Sequence, residues 1–532
     1  MANPFWRNES LEAYLDRWAT ERPDKTAIVD GRGRFTYAQV ARDVERIAHG
    51  LRAHGVTPGS AISCQLPNWH ELILLFLAAS RLGAVINPIP PTYRASELRF
   101  MVNLLESRVM VIPEVFRGFR YTDMLADLRH DLPTVEHVFV ARGAPGAGML
   151  PWGVLADAAW EARAGRQTLP GSDPSRVHEV VFTSGTTGEP KGVMHTPNTT
   201  LATIYSLIER LGFSERDVIL MSSTLAHQTG YLYGYCLNFL LGATAVFLDI
   251  WNVEEAARLI ETERVTFTMG ATPFLQDLTY VSTTRDLSSL RVFISAGASI
   301  PRPLVKDARA RLGCVISAGW GMTENGLATC NGLTDPEEKV IGTDGLPLPG
   351  MALRVVDDAE RDVPTGGEGD LLVRGPAQFV GYWKSPEFTR EAHTAEGWFK
   401  TGDRATLDHD GYVSITGRSK DVIIRGGENI PVAEVEDALF THPKVAGVAV
   451  VAMPDPRLQE RACAFVIPKD GETVTLAELV AHLDAKQLAK MKFPERLEIV
   501  SEFPMTPSGK VQKYRLRQVM KEKIEAEARH AR

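Results

Sequence analysis

Residues 183–192 read Thr183-Ser184-Gly185-Thr186-Thr187-Gly188-Glu189-Pro190-Lys191-Gly192, directly after the apolar run Val180-Val181-Phe182. A strand feeding a loop of glycines, hydroxyls and one lysine can wrap a polyphosphate. The glycines let the backbone approach closely, and N–H groups, hydroxyls and the ammonium face the oxygens. No glycine directly precedes Lys191 and no Ser or Thr follows it, so this is not a Walker A loop. A flexible Gly/Thr linker would need neither the lysine nor the strand. The nucleotide chemistry implied is of another kind.

Far downstream come Gly397-Trp398-Phe399-Lys400-Thr401-Gly402-Asp403, Gly417-Arg418-Ser419-Lys420-Asp421, Arg425-Gly426-Gly427-Glu428-Asn429 and Pro504-Met505-Thr506-Pro507-Ser508-Gly509-Lys510. Singly each motif is weak. In this order, behind the phosphate loop, they resemble the adenylate-forming superfamily of acyl-CoA synthetases, luciferases and peptide-synthetase adenylation domains. The resemblance covers almost the whole chain. Leu225-Ala226-His227-Gln228-Thr229-Gly230 and Gly270-Ala271-Thr272-Pro273-Phe274 look most like medium-chain fatty acid and cyclohexanecarboxylate CoA ligases.

The resemblance implies a reaction in which a carboxylate oxygen attacks the α-phosphorus of ATP and pyrophosphate leaves. Charge then builds on equatorial oxygens, which calls for preorganised donors, a cation and Mg²⁺. By the match, the loop from Thr183 to Lys191 would hold the β- and γ-phosphates. In Trp320-Gly321-Met322-Thr323-Glu324, Thr323 would touch the α-phosphate and Glu324 would bind Mg²⁺ through a hard carboxylate oxygen. Trp320 stands where Tyr is common and would stack on adenine; read alone, Thr-Glu is an ordinary helix start. Ser295-Ala296-Gly297-Ala298-Ser299 resembles the adenine-side turn, Asp403 the carboxylate for both ribose hydroxyls, and Arg418 the arginine at the lobe junction. Lys510 would be catalytic, bridging the incoming carboxylate and the α-phosphate. His227 would lie beside the acyl carboxylate and the thiol path, orienting groups rather than shuttling protons. Gly426 and Gly427 would give clearance for the pantetheine arm of coenzyme A.

The acyl group is read from what is missing. No Asp, Glu, Lys or Arg stands between Asp217 and Asp249, and Phe267 to Leu275 is likewise uncharged. An unpaired substrate ammonium there would cost several kcal/mol. The expected acid is therefore apolar: medium-chain, alicyclic or aryl. A free-standing enzyme loading a carrier protein is the alternative to a CoA ligase. A nucleotide-binding regulator is the alternative outside enzymes, and Lys510, Glu324 and Asp403 together argue against it.

These groups need a scaffold, and 532 residues exceed one core. Up to Cys330 helical and strand patterns alternate, as in a helix capped by Thr36 through Val40, Val44, Ile47 and Leu51, the strand Ala61 to Leu66 and the helix Glu71 to Leu82. This predicts an α/β fold with mostly parallel sheets in a large multi-subdomain N-terminal lobe. A small, mobile α+β C-terminal lobe would carry the catalytic lysine. The expected division is 1–417, a hinge at 418–420, and 421–532, with the swing centred on Lys420 by the resemblance. Past Tyr514 the tail, rich in Lys, Arg, Glu and Ala, reads as a solvated helix.

Composition is that of a soluble protein, 44% hydrophobic and 23% charged. A net charge of −8 argues against nucleic acid as a partner. Five scattered cysteines without zinc spacing, and no signal-peptide pattern, fit a cytoplasmic location. The uncharged run 218–248 is long enough to test as a membrane span. Its glycines, serines, threonines, His227 and Gln228 instead break it into strand, loop, helix and strand. Expected partners are the acid, ATP and CoA, with a homodimer open.

Overall fold

A computed structural model describes residues 3–164, 168–183, 190–297, 300–418, 423–425, 428–430, 432–455, 458–486, 488, 490–506 and 509–530. Thr36 caps the helix Tyr37–Ala53: its hydroxyl accepts from the Gln39 N–H while the Gln39 side chain returns to the Thr36 N–H. Two donors that a helix start leaves open are thereby satisfied. Val40, Val44, Ile47 and Leu51 share its buried face. The helix His70–Arg81 is apolar all round and touches strands of two different sheets, so residues 72–79 are all buried.

Over the described residues, one of these sheets has nine strands and the other eight. In the first, Phe267–Gly270, Val292–Ala296 and Val315–Met322 run parallel, with Gly270 opposite Ser295 and Ala296 opposite Gly319. Three small-residue segments thus end side by side at the carboxyl ends of parallel strands, where open α/β sheets bind ligands. In the second, Glu179–Thr183 pairs parallel with the strand Val85–Pro88 and antiparallel with Lys191–His195. A four-stranded antiparallel sheet follows and ends at Arg418.

The last sheet is built on Ile423–Arg425, Val445–Asp455 and Gln459–Pro468. Strand alternation divides its two faces. Val450, Ala462 and Ala464 pack under the helices Val432–Phe440 and Leu476–Ala485. Val451, Cys463 and Phe465 pack under Lys513–His530. The terminal helix is therefore not simply solvated, as its composition suggested. Leu516 and Met520, four residues apart on one face, are buried, and Ile524, four further on, packs against their cluster. Three apolar residues spaced by four among many charges made a narrow stripe that the composition hid.

The uncharged run 218–248 folds as the strand Val218–Met221, a short helix Gln228–Gly230, a wide π-helical turn Tyr231–Cys236, a helix Leu237–Leu241 and the strand Thr244–Phe247. Among the described residues no helix is long and apolar enough to cross a membrane. All five cysteines are buried and unbridged.

Met520→Ala removes a fully buried side chain. It should destabilise the last sheet and its helix by about 2–5 kcal/mol, seen as a lower unfolding temperature and faster proteolysis within 513–530. An unchanged temperature and digestion pattern would show that this helix contributes nothing to the core.

Candidate active site

The strand before the phosphate loop and the strand after it close a hairpin whose last pair is Thr183 opposite Lys191. Ser184, Gly185, Thr186, Thr187 and Gly188 lie outside the described residues. The Lys191 ammonium stands 4.3 Å from the centre of the Phe388 ring and 5.2 Å from that of Tyr382, favourable cation–π positions. Tyr382 joins this hairpin to the next motif: its strand pairs with Lys191–His195, and its hydroxyl donates to Glu324 Oε1 at 2.9 Å.

Thr323 and Glu324 do not start a helix. They form the tight turn between the antiparallel strands Val315–Met322 and Gly326–Cys330. Two neutral side chains brace that turn. The Tyr382 hydroxyl holds the Glu324 carboxylate, and His195 Nε2 donates to the Thr323 carbonyl at 2.7 Å. A carbonyl can only accept, so it fixes the Nε2–H tautomer, with Nδ1 toward the Thr199 hydroxyl at 3.1 Å. Burial pulls the His195 imidazole down to about 4, so it stays neutral.

Trp320 precedes this turn, and its indole N–H donates to Asp403 Oδ2 at 2.8 Å. The side chain expected against adenine is thus tied by its edge to the carboxylate expected to hold ribose. Asp403 is braced further by its own N–H on the Thr401 hydroxyl, and its backbone pairs with Arg418. Gly321 sits at the bulge of the same hairpin. The Arg418 side chain, Ala298, Ser299, Gly426, Gly427 and Lys420, expected as the hinge, lie outside the described set.

Lys510 comes from the other end of the chain. The Gln276 side chain donates to the Ala446 carbonyl at 3.1 Å, and Phe440 packs against the cluster holding Leu275 and Leu278. These contacts bring the last sheet onto the strand ends. Thr506 and Lys510 are tied by the Thr506 N–H on the Lys510 carbonyl and the Lys510 N–H on the Thr506 hydroxyl. Gly297, at φ +86°, leaves the gap that the lysine fills. A Cβ there would stand 3.1 Å from Lys510 Cε and 3.7 Å from Nζ.

His227 faces the same ammonium. Burial, with Lys510 nearby, pulls its imidazole down to about 3. Its Nδ1 accepts the Thr229 N–H at 3.3 Å, so the neutral ring carries its proton on Nε2. His227 therefore presents a hydrogen-bond donor rather than a base. Among the described residues, three or more His, Cys, Asp or Glu ligand atoms gather within 4.8 Å only at Asp30, His70 and Glu71. Arg142 Nη2 lies 2.7 Å from both carboxylates, so a guanidinium already fills that place.

The model of AMP-binding enzymes matches residues 15–383, and that of the AMP-binding enzyme C-terminal domain matches 434–510. The chain belongs to the AMP-binding enzyme family. It is 38% identical to a medium-chain fatty-acid–CoA ligase of Escherichia coli K12 over 96% of this chain and 91% of that one. It is 34% identical to a 2,3-dihydroxybenzoate–AMP ligase of Bacillus subtilis over 98% and 96%. Its fold matches that of the anthranilate CoA ligase AuaEII in complex with anthranoyl-AMP, with a TM-score of 0.89, 26% identity and 98% of both chains covered. In this family member, Tyr382, Phe388 and His195 went unnoticed in the sequence, because each acts through a partner far along the chain or through a ring face.

The His227 ring should stay neutral from about pH 5 to about pH 8, because a lowered value means that it charges only on strong acidification. Ring chemical shifts of labelled histidine would check this. A His227 signal titrating near the ordinary histidine value would refute it.

Proposed function

We propose that the chain is an ATP-dependent carboxylic acid–CoA ligase. It activates an apolar carboxylate as acyl-AMP with release of pyrophosphate, and passes the acyl group to CoA with release of AMP. The observation that carries this reading is the position of Lys510, brought from the far lobe against Gly297 and His227. A cation beside a neutral donor suits a step in which a carboxylate must approach a phosphate.

In this reading Thr183, Ser184, Gly185, Thr186, Thr187, Gly188 and Lys191 hold the β- and γ-phosphates, and Thr323 the α-phosphate. Asp403 takes the ribose hydroxyls, and Gly297, Ala298, Ser299, Trp320 and Gly321 form the base side. Arg418 meets ribose or phosphate, and Gly426 and Gly427 flank the pantetheine arm. The Glu324 carboxylate, buried and oriented by Tyr382, is a hard oxygen donor that fits Mg²⁺. Bound there, the ion would neutralise phosphate charge. The His227 Nε2–H orients the acid's oxygen. In the second step the thiol sulfur attacks the acyl carbonyl and AMP leaves. Lys510 must then withdraw, so the lobe 421–532 swings about 418–420.

Two lines favour an apolar acid: the uncharged segments around the site and the likeness to a medium-chain fatty-acid–CoA ligase. Carrier-protein loading is the second reading, kept by the likeness to the 2,3-dihydroxybenzoate–AMP ligase. Product formation with free CoA separates the two.

A panel of carboxylic acids assayed with ATP and CoA tests the reading. Acids from hexanoate to decanoate, or cyclohexanecarboxylate, should exceed acetate and every α-amino acid in kcat/KM. Each buried methylene is worth about 0.8 kcal/mol, or several-fold per carbon. Acetate equal to the best acid would refute it.

A pair of variants separates the half-reactions. Lys510→Ala should lose about 10²–10³ in acyl-AMP formation while using supplied acyl-AMP far better. Lys420→Pro, with φ fixed near about −65°, should keep pyrophosphate exchange and lose most CoA-ester formation. Equal damage to both steps in either variant would remove the assigned role.

A further inference from the structure

Glu179 is wholly buried on the strand that feeds the phosphate loop, and no step above uses it. Gln228 Nε2 donates to its Oε2 at 3.1 Å. The other two oxygens of this pair, Glu179 Oε1 and Gln228 Oε1, are both buried, and neither has a hydrogen-bond partner among the described residues. Two unsatisfied buried acceptors are expensive. One proton resolves both: carried on Glu179 Oε1 and donated to Gln228 Oε1, it closes a ring of two hydrogen bonds between acid and amide.

We propose that Glu179 is a positioning residue for acyl activation, sharing a proton with Gln228 in an acid–amide ring that fixes the turn presenting His227. Gln228 begins the short helix directly after His227, and the His227 carbonyl accepts the Tyr231 N–H at 3.0 Å. The Gln228 side chain anchors this turn to the neighbouring strand, and the wide turn Tyr231–Cys236 follows it. The inference rests on the reading of His227 and Lys510 as acting on the acid.

Burial pushes the Glu179 carboxyl up to about 8, against the lowering effect of Gln228. The groups facing it do not titrate in that range. His178 and His195, beside and opposite it in the sheet, are pulled down by burial to about 3 and about 4. Tyr231, Tyr235 and Cys236 on the wide turn are pushed well above their ordinary values. On its remaining side the sheet partner is Ile86. When the proton leaves, two bare oxygens oppose each other, and the ring opens.

The test compares full-length wild type, Glu179→Gln and Glu179→Leu across pH. The readouts are pyrophosphate exchange with the best acid of the panel and the unfolding temperature. Glutamine rebuilds the ring with an N–H in place of the O–H. In wild type kcat should fall about tenfold per pH unit above the Glu179 value, while Glu179→Gln loses that limb and matches wild type near neutrality. Glu179→Leu should lower kcat at every pH with the KM for ATP unchanged. The raised carboxyl stabilises the fold fully below the ordinary carboxylate range and loses this effect as pH rises through about 8. Wild type should therefore lose unfolding temperature relative to Glu179→Gln over that window.

A Glu179→Gln enzyme with the wild-type alkaline limb, or a temperature difference constant with pH, would overturn the proposal. So would Glu179→Gln losing only amine-bearing acids, which would make Glu179 a substrate counter-charge. Should wild type turn over no acid, the reading of function fails, while the unfolding temperatures still decide whether Glu179 shares a proton.

Discussion

The site is organised around one ammonium, that of Lys510, which arrives from the far end of the chain and stands beside Gly297 and His227. The residues around it leave room for its side chain. Gly297 has no side chain where the lysine passes, and a Cβ there would stand 3.1 Å from its Cε. His227, which shares the space, is neutral, because burial disfavours its charged form and the Lys510 cation adds to that. The last sheet is drawn in by contacts such as Gln276 on the Ala446 carbonyl.

Behind the charged groups stands a layer of neutral donors. The His195 ring holds the Thr323 carbonyl, the Tyr382 hydroxyl holds Glu324, and the Trp320 indole holds Asp403. Each brace supplies a hydrogen bond without adding charge, so the acceptors are oriented and keep their negative potential. Orientation before the substrate arrives is what makes such a site effective, since little reorganisation remains for the reaction itself.

Much of this was legible in the sequence. The Thr36 cap, the helical stripe Val40-Val44-Ile47-Leu51 and the strand–helix alternation follow from local periodicity and short-range hydrogen bonding, and the fold has them. Among the described residues, Thr183 and Lys191 close a hairpin, Thr323 and Glu324 form a turn, and Lys510 stands beside Gly297. What escaped depends on distance along the chain. Glu179 lies 49 positions from Gln228, and Tyr382 lies 58 positions from Glu324. No local pattern announces either pair. The run 218–248 is uncharged in sequence, yet in space an acid from another strand reaches it. Thr323-Glu324 reads locally as a helix start, and the antiparallel pairing around it makes it a hairpin turn instead.

The wide turn Tyr231–Cys236 carries a consequence for how such a pocket diversifies. A π-helical turn holds one residue more than the α-helical turn it replaces, and this one is continuous with regular helix at Leu237–Leu241. Deleting a single residue there would restore ordinary winding and leave the segments on either side nearly in phase, because one turn of either helix returns the chain to the same face. Gly230 holds the entry to that turn in place, because a Cβ at its position would fall 2.3 Å from the Thr224 carbonyl oxygen. The wall beside His227 can thus lose or gain one residue without re-aiming its flanks. Point substitutions would trim its surface, whereas a one-residue insertion or deletion within the turn would change its width in a single evolutionary event.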